Sequence, residues 1–452
     1  MTTFLEIGLV GAIAVVLAAP LAVRIIRRRF DPFEPIVLFI LAYGVMFVAR
    51  PLSMITSHDL TYDGPRGSTD VSSTFIEMLV IALIGAAAFV GGYETPLGVH
   101  LANPWRGLGD ITAPAVLRAA FLIGAFGIAS FLLFLYSAGF SGLALMFRGR
   151  TAELSSEIER TTFYLWYSSF LLVPATLLLL AIGLERRRKA LVFTAIALGA
   201  IFLFRTVPLG DRIAILPLLG GLFAFYYLRR AARPSALVLA AFALVALVGS
   251  SFLSDLRGRG TRGESIADTI VRSTQPQRVL SPLHSGPDSE MAAVLAAALS
   301  QIPEKMDFTY GRTIFGDLVS RPVPRALWSD KPVPPREKLI ASLWPVERRQ
   351  GGINPEFSVL LYFFWDFGIP GVIAGMLAFG IVSRALFTYF SNNRHAPAVQ
   401  VLYSLAIWFI VIGLRNSPVD TLIQAFFIVF PAWVGLRIAV SRRAHIAAAV
   451  PR

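Results

Sequence analysis

Apolar residues run along this chain in blocks of roughly 17–25, the length that crosses a ~30 Å hydrocarbon core as a helix. Short Arg-bearing stretches separate the blocks. The pattern predicts about eleven spans and an all-α, polytopic helical membrane protein. The first eight spans are expected at Leu5–Val23, Pro35–Ile55, Thr74–Gly92, Ala113–Ala138, Thr162–Leu184, Ala190–Thr206, Ile213–Leu228 and Ser235–Leu253. The last three are expected at Phe367–Leu386, Ala398–Leu414 and Thr421–Val440, with Phe357–Trp365 as an interfacial or re-entrant segment before them. Three regions follow: spans at 1–253, a long polar loop at 254–355, and spans at 356–452.

The Arg flanks orient this arrangement. Arg24, Arg27, Arg28 and Arg29 follow the first block, Arg186, Arg187, Arg188 and Lys189 follow the fifth, and Arg229, Arg230 and Arg233 follow the seventh. Arg442 and Arg443 follow the last. Cytoplasmic short loops collect Lys and Arg, so the N-terminus is expected outside and the C-terminus in the cytoplasm. A cleaved signal peptide would carry its cations before the apolar block instead of after it. By alternation the 254–355 loop lies outside. It holds 14 basic and 11 acidic residues, and loops of this length escape the charge rule.

Composition agrees: 56% of residues are hydrophobic and 15% charged, too little charge to coat a soluble protein of 452 residues. The net charge of +13 would suit nucleic acid, but the Arg cluster at span ends, as topology demands. No Cys is present, so disulfide, thiolate and Cys-ligated zinc chemistry are excluded. The five His are scattered without metal-ligand spacing, and no DxD pair offers to grip a metal–nucleotide.

Candidate chemistry lies on the expected outer face. Within the long loop, Asp288–Ile302 has helical character with apolar residues on one side; it suits the membrane surface or a packed position over the spans. A stiff, proline-rich stretch then carries Arg312, Arg321, Arg325, Lys331, Arg336 and Lys338, with Trp328 among them. Guanidinium forks bind phosphate oxygens in pairs, so this stretch suits a pyrophosphate; equally it suits lipid headgroups. Arg148, Arg150, Arg205, Arg212 and Arg415 fall in short outer loops, where topology disfavours Arg, and either line an anion site or anchor helix ends. Arg205 follows Phe202-Leu203-Phe204 near membrane depth, with Asp211 as its candidate partner. Glu356 and Asp366 are outer carboxylates that suit a general base, although capping of the following span accounts for Asp366 more simply.

The string YGRTIFGDLVSRPVPRALWSDKP at Tyr310–Pro332, followed by WDFGIPGVIAGMLAFG at Trp365–Gly380, resembles the Wzy-type O-antigen and exopolysaccharide repeat-unit polymerases. Val323-Pro324-Arg325 and Leu327–Pro332 are similar to that family's "IPR-x-[LI]-[WF]-x-x-KP", and Asp366-Phe367-Gly368 with Gly371 to its "NFG-x-x-G". Leu209–Arg212 is similar to its "GSR" hairpin, and Gly139–Arg150 to its outer-loop Arg segment. Asp366 departs from the family's Asn, and Leu360–Phe363 stands where an acid is often found, which leaves the base open. The resemblance implies a GT-C-like glycosyltransferase that joins undecaprenyl-pyrophosphate-linked repeat units at the outer, periplasmic face of the bacterial inner (plasma) membrane. It implies no cofactor, metal or nucleotide sugar. Its partners would be the lipid-linked donor and acceptor, membrane lipid and a chain-length regulator protein.

Arg312, Arg325 and Glu356 are therefore the candidate catalytic residues. Arg148, Arg150, Arg205, Arg212, Arg321, Trp328, Lys331 and Arg415 are the candidate pyrophosphate or glycan ligands. A glycan ligase, needing a functional loop His such as His284, and a lipid-linked-sugar flippase, needing ionisable residues deep in a central path, are the alternatives.

Overall fold

A computed structural model of the chain describes residues 2–64, 67–105, 108, 110–137, 163–262, 265–284, 290–321, 323, 328, 330–343 and 357–438. Among these, eleven helices are long and apolar enough to cross a membrane. They are α1 (Thr3–Ile26), α2 (Pro35–Thr56), α3 (Phe75–Glu94), α4 (Pro114–Ser137), α5 (Tyr164–Glu185) and α6 (Lys189–Leu209). Next come α7 (Arg212–Arg229), α8 (Ala236–Leu256), α9 (Val359–Asn392), α10 (Pro397–Arg415) and α11 (Pro418–Ile438). The described chain is otherwise short helices, turns and one two-stranded hairpin, Thr61–Gly64 with Gly67–Asp70. This is the fold of an all-α, multi-pass membrane protein.

The chain forms two compact units, each discontinuous in sequence. The first comprises Met1–Asn103, Pro276–Phe387 and Ile410–Thr421. Its core is built on close backbone approach. A Cβ at Gly92 would run into the Leu377 carbonyl, and one at Gly380 into the Phe89 carbonyl, so α3 and α9 touch through glycine. Phe39 stacks on Phe89 at 3.5 Å between centroids, and the Tyr43 hydroxyl donates to the Ala82 carbonyl at 2.6 Å. Arg24 reaches Glu34 through two hydrogen bonds of 2.9 and 2.8 Å and Glu94 at 2.9 Å, tying α1 to the start of α2 and the end of α3.

Two sequence expectations are resolved here. Met291–Leu299 is buried on every side, so of the two positions open to it, the membrane surface and a packed site, it takes the packed one. Thr74 Oγ1 donates to its Ala296 carbonyl at 2.7 Å. The segment before the ninth span is a helical arm of its own, divided from the span where the sequence places the division. It is the first arm of α9, largely buried, and is joined to the second arm through a break at Phe367 (φ −143°, ψ 18°) and Gly368 (φ 63°, ψ −151°). Glycine accepts the positive φ, and Pro370 cannot donate to the preceding turn.

The second unit comprises Pro104–Gln275, Thr388–Phe409 and Leu422–Arg452, the last stretch described as far as 438. Its centre is α5, which packs against α4 and α6. A Cβ at Gly220 would meet the Trp408 ring at 2.5 Å, which brings α7 onto the first part of α10. By contrast α8 is only 6% buried, an apolar helix with lipid as its natural surroundings.

Candidate functional site

The break in α9 leaves backbone acceptors to be satisfied. In an unbroken helix the Asp366 carbonyl would accept from residue 370, which is proline and has no N–H. The Trp365 carbonyl would accept from residue 369, beyond the non-helical Gly368. Buried carbonyls find other donors, and a loop of the first unit supplies them. Thr309 N–H donates to the Trp365 carbonyl at 2.9 Å, and Tyr310 N–H to the Asp366 carbonyl at 3.1 Å. The Trp365 indole N–H returns a bond to the Asp307 carbonyl at 3.3 Å.

The Asp366 carboxylate completes the clamp. Its Oδ1 accepts from the Thr309 hydroxyl and, at 3.1 Å, from Thr313 N–H. Asp366 is fully buried and its Oδ2 has no hydrogen-bond partner. Asp366 thus holds the loop instead of capping the helix after it, correcting the expectation from sequence. Tyr310 (φ 50°) and Gly311 (φ 88°) then reverse the chain in the left-handed region. A Cβ at Gly311 would meet Phe315 at 2.9 Å and Phe367 at 3.3 Å, so glycine is required twice over.

This loop borders a cavity of about 630 Å³ lined by Pro303, Asp307, Phe308, Thr309, Tyr310 and Arg312. Arg312 and Asp307 are both exposed. Among the described residues neither side chain is taken up by a hydrogen bond or an ion pair. Tyr310 (76% exposed), Phe315 and Phe367 add exposed aromatic surface on the same loop and helix break.

The other candidate cations are committed elsewhere. Arg321 Nε pairs with Asp317 at 3.1 Å, and its Nη1 pairs with Asp420. Ser417 Oγ donates to Asp420 Oδ2 at 2.7 Å and accepts from Asp420 N–H at 2.9 Å, capping α11. Burial pushes the Asp317 carboxyl up, and the Arg321 charge pulls it back only in part. Lys331 also acts on Asp317 through its charge and donates to the Val323 carbonyl at 3.1 Å. So Arg321 and Lys331 do come together, around Asp317, and Arg321 also holds Asp420. Arg415 is buried, and Trp328 is partly exposed at the surface.

In the second unit, Arg212 donates to Ser250 and Ser254, both at 3.0 Å, which fastens α7 to α8. Arg205 is fully buried, its guanidinium 3.7 Å from the Trp166 ring centroid and 4.5 Å from that of Phe170. Its Nη2 donates to the Trp166 carbonyl at 3.0 Å, while Nε and Nη1 have no hydrogen-bond partner. Asp211 accepts from the Ala214 N–H at 3.3 Å, as the cap of α7, and its charge also acts on Arg205 without a hydrogen bond between them. Arg148, Arg150, Arg325 and Glu356, together with the His284 side chain, lie outside the described residues.

Of the described candidates, the structure leaves Arg312 open in a cavity and places the rest in aromatic, serine or carboxylate contacts or at other sites. Sequence reasoning missed Asp307 and Thr309. Pro370 was the available signal, because a proline four residues after Asp366 requires an outside donor for that carbonyl. Comparison with known protein families, curated proteins and solved structures returns no match.

Proposed function

We propose that this chain is a membrane-embedded glycosyltransferase. In this reading it polymerises undecaprenyl-pyrophosphate-linked repeat units into a surface polysaccharide at the outer face of the plasma membrane. The observation that carries the reading is Arg312. It is an exposed, uncommitted guanidinium in a cavity of about 630 Å³, on a loop pinned to the break of a membrane-length helix. Exposed aromatic side chains on the same loop and break suit a substrate that is part anion and part lipid. The Arg-bearing flanks of the spans support an outer position for this loop.

Transfer moves negative charge onto the departing pyrophosphate. A guanidinium stabilises that charge in the transition state more than in the bound donor, which is what raises the rate. The clamp on Asp366 holds the backbone beside Arg312 in place before substrate arrives, which anchors the base of the side chain at the cavity.

The test compares two arginines in membranes that contain lipid-linked repeat units. Arg312→Ala should cut polymer formation by about 10²–10³-fold while inserting normally. Arg321→Ala should instead lower the amount of folded protein, because it strips the partner from Asp317 and Asp420. A wild-type ladder of polymer lengths from Arg312→Ala would contradict the proposal.

A further inference from the structure

We infer that Asp307 is the general base that activates the attacking hydroxyl. The inference rests on the glycosyltransferase reading and names a residue that reading leaves unassigned. A transferase that displaces pyrophosphate needs a proton acceptor beside the acceptor hydroxyl and a cation beside the leaving group. The cavity beside the loop that is clamped to α9 is lined by one of each: Asp307 and Arg312. Among the described residues, Asp307 is the carboxylate that lines it.

Among the other carboxylates near this loop, Glu304 is exposed but does not line the cavity, and the rest are spent on the fold. Asp366 is fully buried, with Oδ1 accepting from Thr309 and Thr313. Asp317 and Asp420 are bound to Arg321. Asp307 is exposed and its carboxylate is uncommitted, yet its backbone is fixed through the Trp365 indole at 3.3 Å. It sits two residues before Thr309, whose backbone and hydroxyl form the clamp. A free carboxylate on a fixed main chain is what a base requires: oxygen lone pairs available, position set in advance.

The step balances as a single displacement. The acceptor hydroxyl gives its proton to an Asp307 carboxylate oxygen as its own oxygen bonds to the donor's anomeric carbon. The bond from that carbon to the phosphate oxygen breaks, and the electron pair leaves with the pyrophosphate towards Arg312. One displacement from the opposite face inverts the anomeric carbon.

The experiment uses the full chain in lipid vesicles with a defined lipid-linked repeat unit. Asp307→Asn, nearly isosteric and at an exposed position, should lower turnover by about 10²–10⁴-fold and leave half-saturation by the donor near the wild-type value. Asp307→Gly should be similarly slow and should regain turnover on addition of formate, a small carboxylate for which the cavity has room. The product linkage should be inverted relative to the donor. Wild-type turnover by Asp307→Asn, no response of Asp307→Gly to formate, or a retained linkage would each overturn the assignment of Asp307 while a working wild-type enzyme left the transferase reading intact. Absence of product from the wild-type chain would remove both.

Discussion

At the scale of single residues, the deciding property of each arginine is what already occupies it. Arg321 and Arg312 lie nine positions apart in one basic stretch, yet the first is held by two aspartates and the second faces a cavity. Spacing offers one of the two partners, Asp317 four residues before Arg321, but the other, Asp420, is 99 residues away in sequence. Arg205 poses the opposite problem. Its ring contacts are worth about 2 kcal/mol when desolvated. Each buried donor left without a partner costs about 1–3 kcal/mol, and Arg205 has two such nitrogens. Stability alone would therefore favour a flexible apolar side chain there. Arg205→Met is expected to unfold in detergent at or above the wild-type temperature, and a large drop on thermal scanning would show that the stacked cation is a net structural asset.

At the scale of elements, the spans were legible because apolar blocks of membrane length bounded by Arg allow few other structures. Predicted and observed boundaries fall within a few residues for most of the eleven. The break in α9 was legible too: Phe367-Gly368-Ile369-Pro370 reads as a stop and a new start, and the backbone leaves the helix at Phe367 and Gly368. The burial of the first arm comes from tertiary packing that no local pattern encodes. The same is true of Met291–Leu299, which packs on α3, some two hundred residues earlier in the chain.

Two outcomes belong to this scale. Gly380→Ala, which forces a methyl into the Phe89 carbonyl, should destabilise the chain by about 1–3 kcal/mol, visible as a lower unfolding temperature. Pro370→Ala restores an N–H that competes for the Asp366 carbonyl. It should speed hydrogen exchange at the Tyr310 amide and reduce transfer without lowering the unfolding temperature; unchanged exchange would show that the proline does not maintain the clamp.

At the scale of the whole molecule, an apolar chain carries a net +13, and the two properties divide the work. Cations in the short flanks set which way the helices thread. Cations in the long loop have no topological duty, and there the structure leaves Arg312 exposed and uncommitted beside a carboxylate. The absence of Cys makes the orientation easy to check. A single cysteine at Tyr310 should react with a membrane-impermeant maleimide added to intact cells, and one at Arg187 should react only after lysis.

The most direct measurement supplies purified wild-type protein, in vesicles, with one defined undecaprenyl-pyrophosphate-linked repeat unit and no other protein, and resolves the products by length. The account predicts a ladder of lipid-linked oligomers rising by one repeat at a time, with release of undecaprenyl pyrophosphate. A verified substrate that stays at single-repeat length would contradict it.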